Sequence, residues 1–76
     1  MGVLKRFDTI GIRHEVIHAD NKYIYREMGM GGTKHYLSLD YPDRESAEQM
    51  YTATLAAARH DGLNPVEDTS IGKEWD

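Results

Sequence analysis

The side chains of this 76-residue chain best suited to chemistry are its four histidines, five tyrosines and thirteen carboxylates; it has no cysteine. His14 and His18 stand four apart, the spacing with which a helix presents two ligands to zinc. Here they flank Val16 in a β-branched, alternating stretch, where strand rise separates them by roughly 13 Å, too far to share one ion. His35 falls on the opposite face of a neighbouring strand and His60 on a helix, so the reading holds no metal and no cofactor. Ser38, Ser46 and Ser70 lack an adjacent base that would activate a hydroxyl. Asp40, Asp43, Glu45 and Glu48 are accounted for by a helix start and its solvated face. The run "GMGGTK" has the glycines of a phosphate loop but lacks the Walker spacing, and another strand follows it where a phosphate site needs a helix. The chain reads as a binding protein and not as an enzyme.

Without cysteine there are no disulfides and no thiolate sites. No apolar run approaches the roughly 18 residues that span a bilayer. The start "MGVLKR" has Arg6 where a myristoylation signal needs Ser or Thr, and no long apolar segment of a secretory leader. These features lead to the expectation of a single small cytoplasmic domain over residues 1–76. Formal net charge is −4, unevenly spread. Residues 1–37 carry six cationic against four anionic side chains, a balance of +2; residues 38–76 carry three against nine, a balance of −6. Two surfaces of opposite potential follow.

The elements that must position these groups are an α+β set. Residues 13–20, "RHEVIHAD", and 22–28, "KYIYREM", alternate around Asp20-Asn21, a pair that tolerates the positive φ of a tight hairpin turn. "GMGG" then separates 22–28 from 33–39, "TKHYLSL". The predicted core of the fold is a three-stranded antiparallel β-meander over 13–39, with one α-helix over 43–61 packed on one face. Pro42 belongs at the helix start, and Asp43 (or Asp40 in another frame) caps it. Ala47, Met50, Tyr51, Leu55 and Ala58 form its apolar stripe, with Thr54 on the same stripe bonding back to the preceding turn. Gly62 ends it and Asn64-Pro65 prevents continuation. Residues 1–12 supply an arm or an extra strand. Residues 64–76 form an acidic tail anchored only by Val66, Ile71 and Trp75, either frayed or packed on another chain.

Register then assigns the faces. A two-residue turn at Asp20-Asn21 sets Ile17 opposite Ile24 and Glu15 opposite Arg26. A four-residue loop at "GMGG" sets Ile24 opposite Leu37, Tyr25 opposite Tyr36 and Glu27 opposite Lys34. On this reading the aliphatics face the helix, with Glu15, Arg26 and His35 pairing at the margin. His14, His18, Tyr23, Tyr25, Tyr36 and Lys34 look away from it, on a surface without an obvious cover. Tyrosine offers large contact area at low entropy cost, so this surface is the predicted contact site. The alternative has the amino-terminal segment (Phe7, Ile10, Ile12) or the Trp75 tail folding over the rings. Exchange of Tyr25 and Tyr36 for Ala together is expected to leave the fold intact.

An aromatic strand, a Gly-rich turn, a Lys-bearing strand and then "LDYPDRESAEQMY" resemble, over Lys22 to Ala58, the arm-binding domains of tyrosine recombinases and the plant ethylene-response DNA-binding domain. The resemblance implies a sheet laid in the DNA major groove. Those families carry several arginines on the exposed sheet. The face predicted here offers Lys34 and neutral histidines with Glu27 among them, so it would neutralise few phosphates. A protein partner is therefore the preferred reading. Glu45 and Glu48 on the helix, with Asp61 and the tail, offer a second, acidic surface that suits a basic groove. Small acidic accessory proteins of phages and mobile elements have this character, and an inhibitor or modulator acting by protein–protein contact is the expected function. The alternatives are a DNA-binding accessory domain and a homodimer that buries the tyrosine face against itself.

Overall fold

The computed structural model describes residues 2–71. Four long strands follow one another along the chain: β1 (Gly2–Thr9), β2 (Ile12–Ala19), β3 (Lys22–Gly29) and β4 (Tyr36–Tyr41). The helix α1 (Arg44–His60) comes next, and a short strand, β5 (Val66–Glu67), closes the order. All pairings are antiparallel, and the sheet runs β4-β3-β2-β1-β5. The α+β architecture with one helix is as the sequence implied. The sheet is wider than the predicted meander, because residues 2–9 form a full strand and part of the tail forms another.

Each connection has a local cause. Asp20 and Asn21 both adopt positive φ (52° and 63°), as a two-residue turn matched to strand twist requires. The β2–β3 register that follows is the predicted one, with Ile17 opposite Ile24 and Glu15 opposite Arg26. Between β1 and β2 the turn is Ile10-Gly11, with Gly11 at φ 81° and Ile10 fully offered to solvent at the tip. Ile10 therefore anchors nothing in this chain.

The third connection departs from the expected one. The Gly29 amide donates to the His35 carbonyl at 2.8 Å, so the ladder continues one step beyond Met28 and the loop consumes residues 30–34. Inside it Thr33 N–H donates to Met30 O at 3.1 Å, with Gly31 and Gly32 both at positive φ. Tyr25 consequently pairs with Leu39, not Tyr36, and Glu27 with Leu37, not Lys34. The slip is an odd number of residues, and an odd slip turns a strand over. Leu37, Leu39 and Tyr41 join the side of Tyr25, while Tyr36, Ser38 and Asp40 join the side of Ile24 and Arg26.

The helix follows the sequence closely. The Asp43 carboxylate accepts from the Ser46 amide at 2.8 Å, Glu45 lies in the first turn, and Arg59 and His60 lie in the last. Gly62, at φ 73°, donates to Arg59 O, and Leu63 N–H donates to Ala58 O at 3.0 Å, the paired bonds of a Schellman terminus. Ala47, Tyr51, Leu55 and Ala58 are buried, and the Thr54 hydroxyl donates back to Met50 O at 2.7 Å.

The helix covers the tyrosine side of the sheet. The buried cluster is Phe7, Val16, Tyr25, Ala47, Tyr51, Leu55 and Ala58, with Leu4, Tyr23, Leu37, Leu39, Tyr41 and Met50 packed around it. The predicted partition of faces is thus inverted. Once β4 presents two leucines beside Tyr25 and β1 presents Phe7 beside His14, this side holds the larger apolar area, and the helix stripe goes there. A register irregularity between Val3 and Lys5 lets Leu4 join the same cluster. Among the described residues no helix is long and apolar enough to cross a membrane.

The tail at 66–68 is neither frayed nor set aside for another chain. Asp8 pairs with Val66, Phe7 with Glu67, and Asp68 N–H donates to Arg6 O at 2.9 Å. Ion pairs Arg6–Asp68 (2.6 Å) and Arg59–Glu67 (3.1 Å) fix it to β1 and α1. The Trp75 anchor lies outside the described residues.

Candidate functional site

Of the eight residues singled out in the sequence, the structure does not gather one exposed patch. Tyr25 is completely buried, and its ring is core. His14 is buried beside it, its imidazole stacked on Phe7 with centroids 4.2 Å apart. Tyr23 is half-buried under the helix side and stacks with the exposed His18 at 4.4 Å. Lys34 and Glu45 are exposed, on the β3–β4 loop and the helix respectively. Glu48 is held between Lys5 (3.1 Å) and Arg44. With Arg44, Lys5 and Arg59 interleaved among Glu45, Glu48 and Glu67, the helix surface is mixed in sign and not the acidic face expected. Tyr36 alone of the predicted rings is freely displayed, 68% exposed, on the side opposite the helix.

What the buried residues do form is a chain of hydrogen bonds. The Tyr25 hydroxyl donates to Glu27 Oε2 at 2.5 Å, so its oxygen accepts from His14 Nδ1 at 2.9 Å. His35 Nε2 lies 2.8 Å from the other Glu27 oxygen. Adjacent strands bring these groups together, since His14 and Glu27 are direct partners across β2–β3 and His35 follows at the loop. Burial pushes the Tyr25 phenol well above its ordinary range, and the bond to Glu27 pushes it further. Burial lowers His14, outweighing the nearby Glu27 carboxylate. Burial opposes the Glu27 charge, but hydrogen bonds from Tyr25 and His35 prevail and hold its pKa below the usual value. The set satisfies a tyrosine hydroxyl and a histidine placed inside a core. It offers no free nucleophile.

The opposite side of the sheet is built differently. Across its middle row run Arg6, Glu15, Arg26 and Ser38, by the pairings of β1 with β2, β2 with β3 and β3 with β4. Glu15 is only 3% exposed, its carboxylate bound by Arg26 at 2.7 Å with Arg6 at 3.8 Å; Arg6 in turn holds Asp68. The predicted Glu15–Arg26 pair is present; His35, expected with it, serves Glu27 instead. In the next row Asp8 takes Arg13 in two bonds of 2.9 and 3.1 Å, beside Met28 and Tyr36. In the third, Val3, Ile17, Ile24 and Asp40 align, with Lys22 on Asp40 at 3.2 Å. Four cations thus meet four carboxylates on this side. No described helix or strand packs over it.

Sequence reasoning missed Arg6, Arg13 and Asp8 as members of this surface, and placed Met28 on it with Ile24 but under the helix. The signal was present in β1, where Arg6 and Asp8 alternate with the apolar Phe7 and so fall on the side away from it. Comparison with protein-family models, with curated proteins and with solved structures finds no match for this chain.

Proposed function

We propose that the protein is a non-enzymatic binding module that docks a protein partner on the sheet face opposite the helix, over its β3–β4 half. The observation that carries this reading is the composition of that face. Tyr36 stands 68% exposed beside Met28, with Ile24 two rows further along the same side, within a frame of arginines and carboxylates that neutralise one another. Arg, Tyr and Met are the residues enriched at protein interfaces, and a rim of mixed charge confers register without a dominant field. A role as inhibitor or modulator of another machine is the form of binding this reading favours. The DNA-binding alternative has less support, because the face's cations are already committed to carboxylates and few remain to displace counterions from phosphates.

The test is capture by the immobilised full chain from lysate of its native host. Met28→Glu and Tyr36→Ala, both outside the helix-side core, should keep the wild-type circular dichroism and lose the captured protein. Glu45→Lys on the helix should retain it. Capture that survives both face substitutions and fails with Glu45→Lys would move the contact to the helix and overturn the proposal.

A further inference from the structure

We infer that two copies of this chain pair through the outer edge of β4, antiparallel about a two-fold axis at Ser38, to join their sheets into one.

Strand alternation supplies the first argument. In an antiparallel ladder, consecutive pairs alternate between those that exchange both backbone hydrogen bonds and those that exchange none. Gly29 N–H donates to His35 O, which places Gly29–His35 in the bonded class. Glu27–Leu37, Tyr25–Leu39 and Tyr23–Tyr41 follow in that class, and Met28–Tyr36, Arg26–Ser38 and Ile24–Asp40 in the other. The N–H and C=O groups of Tyr36, Ser38 and Asp40 therefore point off the sheet, six backbone groups along one edge.

Among the described residues that edge lacks the usual guards. Natural sheets blunt an exposed edge with lysine, proline, a bulge or extreme shortness. The other edge, β5, is two residues long and preceded by Pro65. By contrast β4 is six residues, "YLSLDY", with no bulge in its pairing to β3 and no proline before Pro42. Its single charge, Asp40, is already tied to Lys22 at 3.2 Å.

Register chooses the occupant. Centred on Ser38, an antiparallel second copy sets Tyr36 against Asp40, Ser38 against Ser38 and Asp40 against Tyr36. This register, and not the ones displaced by two residues in either direction, satisfies all six groups. On the helix side it brings Leu37 of one copy to Leu39 of the other, extending the apolar row. On the other side the Tyr36 hydroxyl meets Asp40. Lys34 and His35 precede the strand while Asp40 and Asp43 close it, so the antiparallel arrangement lays the basic end of each copy on the acidic end of its mate. At the ladder's limits Pro42 has no N–H to offer, which stops it there. The pairing engages the β4 edge and the Tyr36 hydroxyl but leaves Met28, Ile24 and the rest of the broad face open, so it can fail without the docking reading failing.

The test is sedimentation of the full chain over a wide concentration range, with amide exchange followed by NMR. The wild type should pass reversibly from 8.7 kDa toward twice that mass, with the Tyr36, Ser38 and Asp40 amides gaining protection as it does. Ser38→Pro removes a donor that β3 does not use, a place where an edge strand accepts proline. It should stay at monomer mass throughout while keeping the wild-type helix signal. Ser38→Lys, which keeps every backbone group, should set like charges across the axis and weaken association at least tenfold. Ser38→Cys, the sole thiol in the chain, should cross-link on mild oxidation, and Thr52→Cys on the outer helix face should not. A wild type that stays monomeric at the highest concentration, or a Ser38→Lys that dimerises as tightly, would overturn the pairing.

Discussion

Tyr25 carries more of this molecule than any other single side chain. Its ring fills the centre of the core and its hydroxyl links the buried His14 to the half-buried Glu27. Truncation to alanine should therefore unfold or severely weaken the domain, at a cost of about 3–5 kcal/mol. Tyr25→Phe keeps the packing and strands His14 Nδ1 and a Glu27 oxygen, at about 1–3 kcal/mol. Tyr36→Ala should leave the melting temperature near that of the wild type. Chemical denaturation of the three variants checks the ordering, and a stable Tyr25→Ala would refute the assignment of that ring to the core. The same cluster predicts acid sensitivity. His14 titrates below its ordinary 6.5 when folded, so on acidification the unfolded chain takes up the proton first. Its stabilisation is complete above about pH 6.5 and declines below it. Glu27, held below its ordinary 4.5, stabilises fully above that value and loses its contribution as pH falls through the folded pKa. Melting temperature should thus fall in two stages between neutral and acid pH, and His14→Gln should flatten the upper one.

At the level of elements, the β3–β4 loop decides the architecture. Gly29 sits where a Cβ would lie 1.9 Å from the Thr33 carbonyl oxygen, a backbone atom that cannot swing aside. Gly29→Ala must open the loop or shift the ladder, and a destabilisation of about 1–3 kcal/mol is expected from the forced overlap. Loss of amide protection confined to residues 29–36 would show it by hydrogen exchange. A melt identical to wild type would mean the loop has another arrangement within easy reach. The helix is set by its ends in a more ordinary way. Asp43→Ala removes the acceptor for the Ser46 amide and should destabilise the helix start, measurable as a lowered denaturant midpoint at unchanged slope.

For the whole molecule, the consequence of scale is that one helix covers one side of a five-stranded sheet. The other side is held by ion pairs along its rows. Because those pairs balance, the domain should give no salt-sensitive shift of duplex DNA in a low-salt gel assay, even though Arg6, Arg13, Arg26 and Lys22 share that side. A shift abolished by Arg13→Ala would restore the DNA-binding alternative.

Much of this was open to reading from the chain itself. The helix, its cap at Asp43, its Gly62 terminus, its stripe, the Asp20-Asn21 turn and the β2–β3 register all depend on neighbours within a few residues, where propensity and hydrogen-bond geometry act locally. What the chain could not declare was how many residues the glycine loop consumes. Glycine permits several turn conformations, and a ladder bond from Gly29 to His35 is chosen by what the rest of the sheet then buries. That choice reversed β4, sent Tyr25 into the core, and left Tyr36 outside. Pairing of residues 66–67 with β1 is likewise a matter of distant partners, since that segment does not announce which strand it will join. Local chemistry determined the pieces; long-range burial determined which of their sides another molecule can reach.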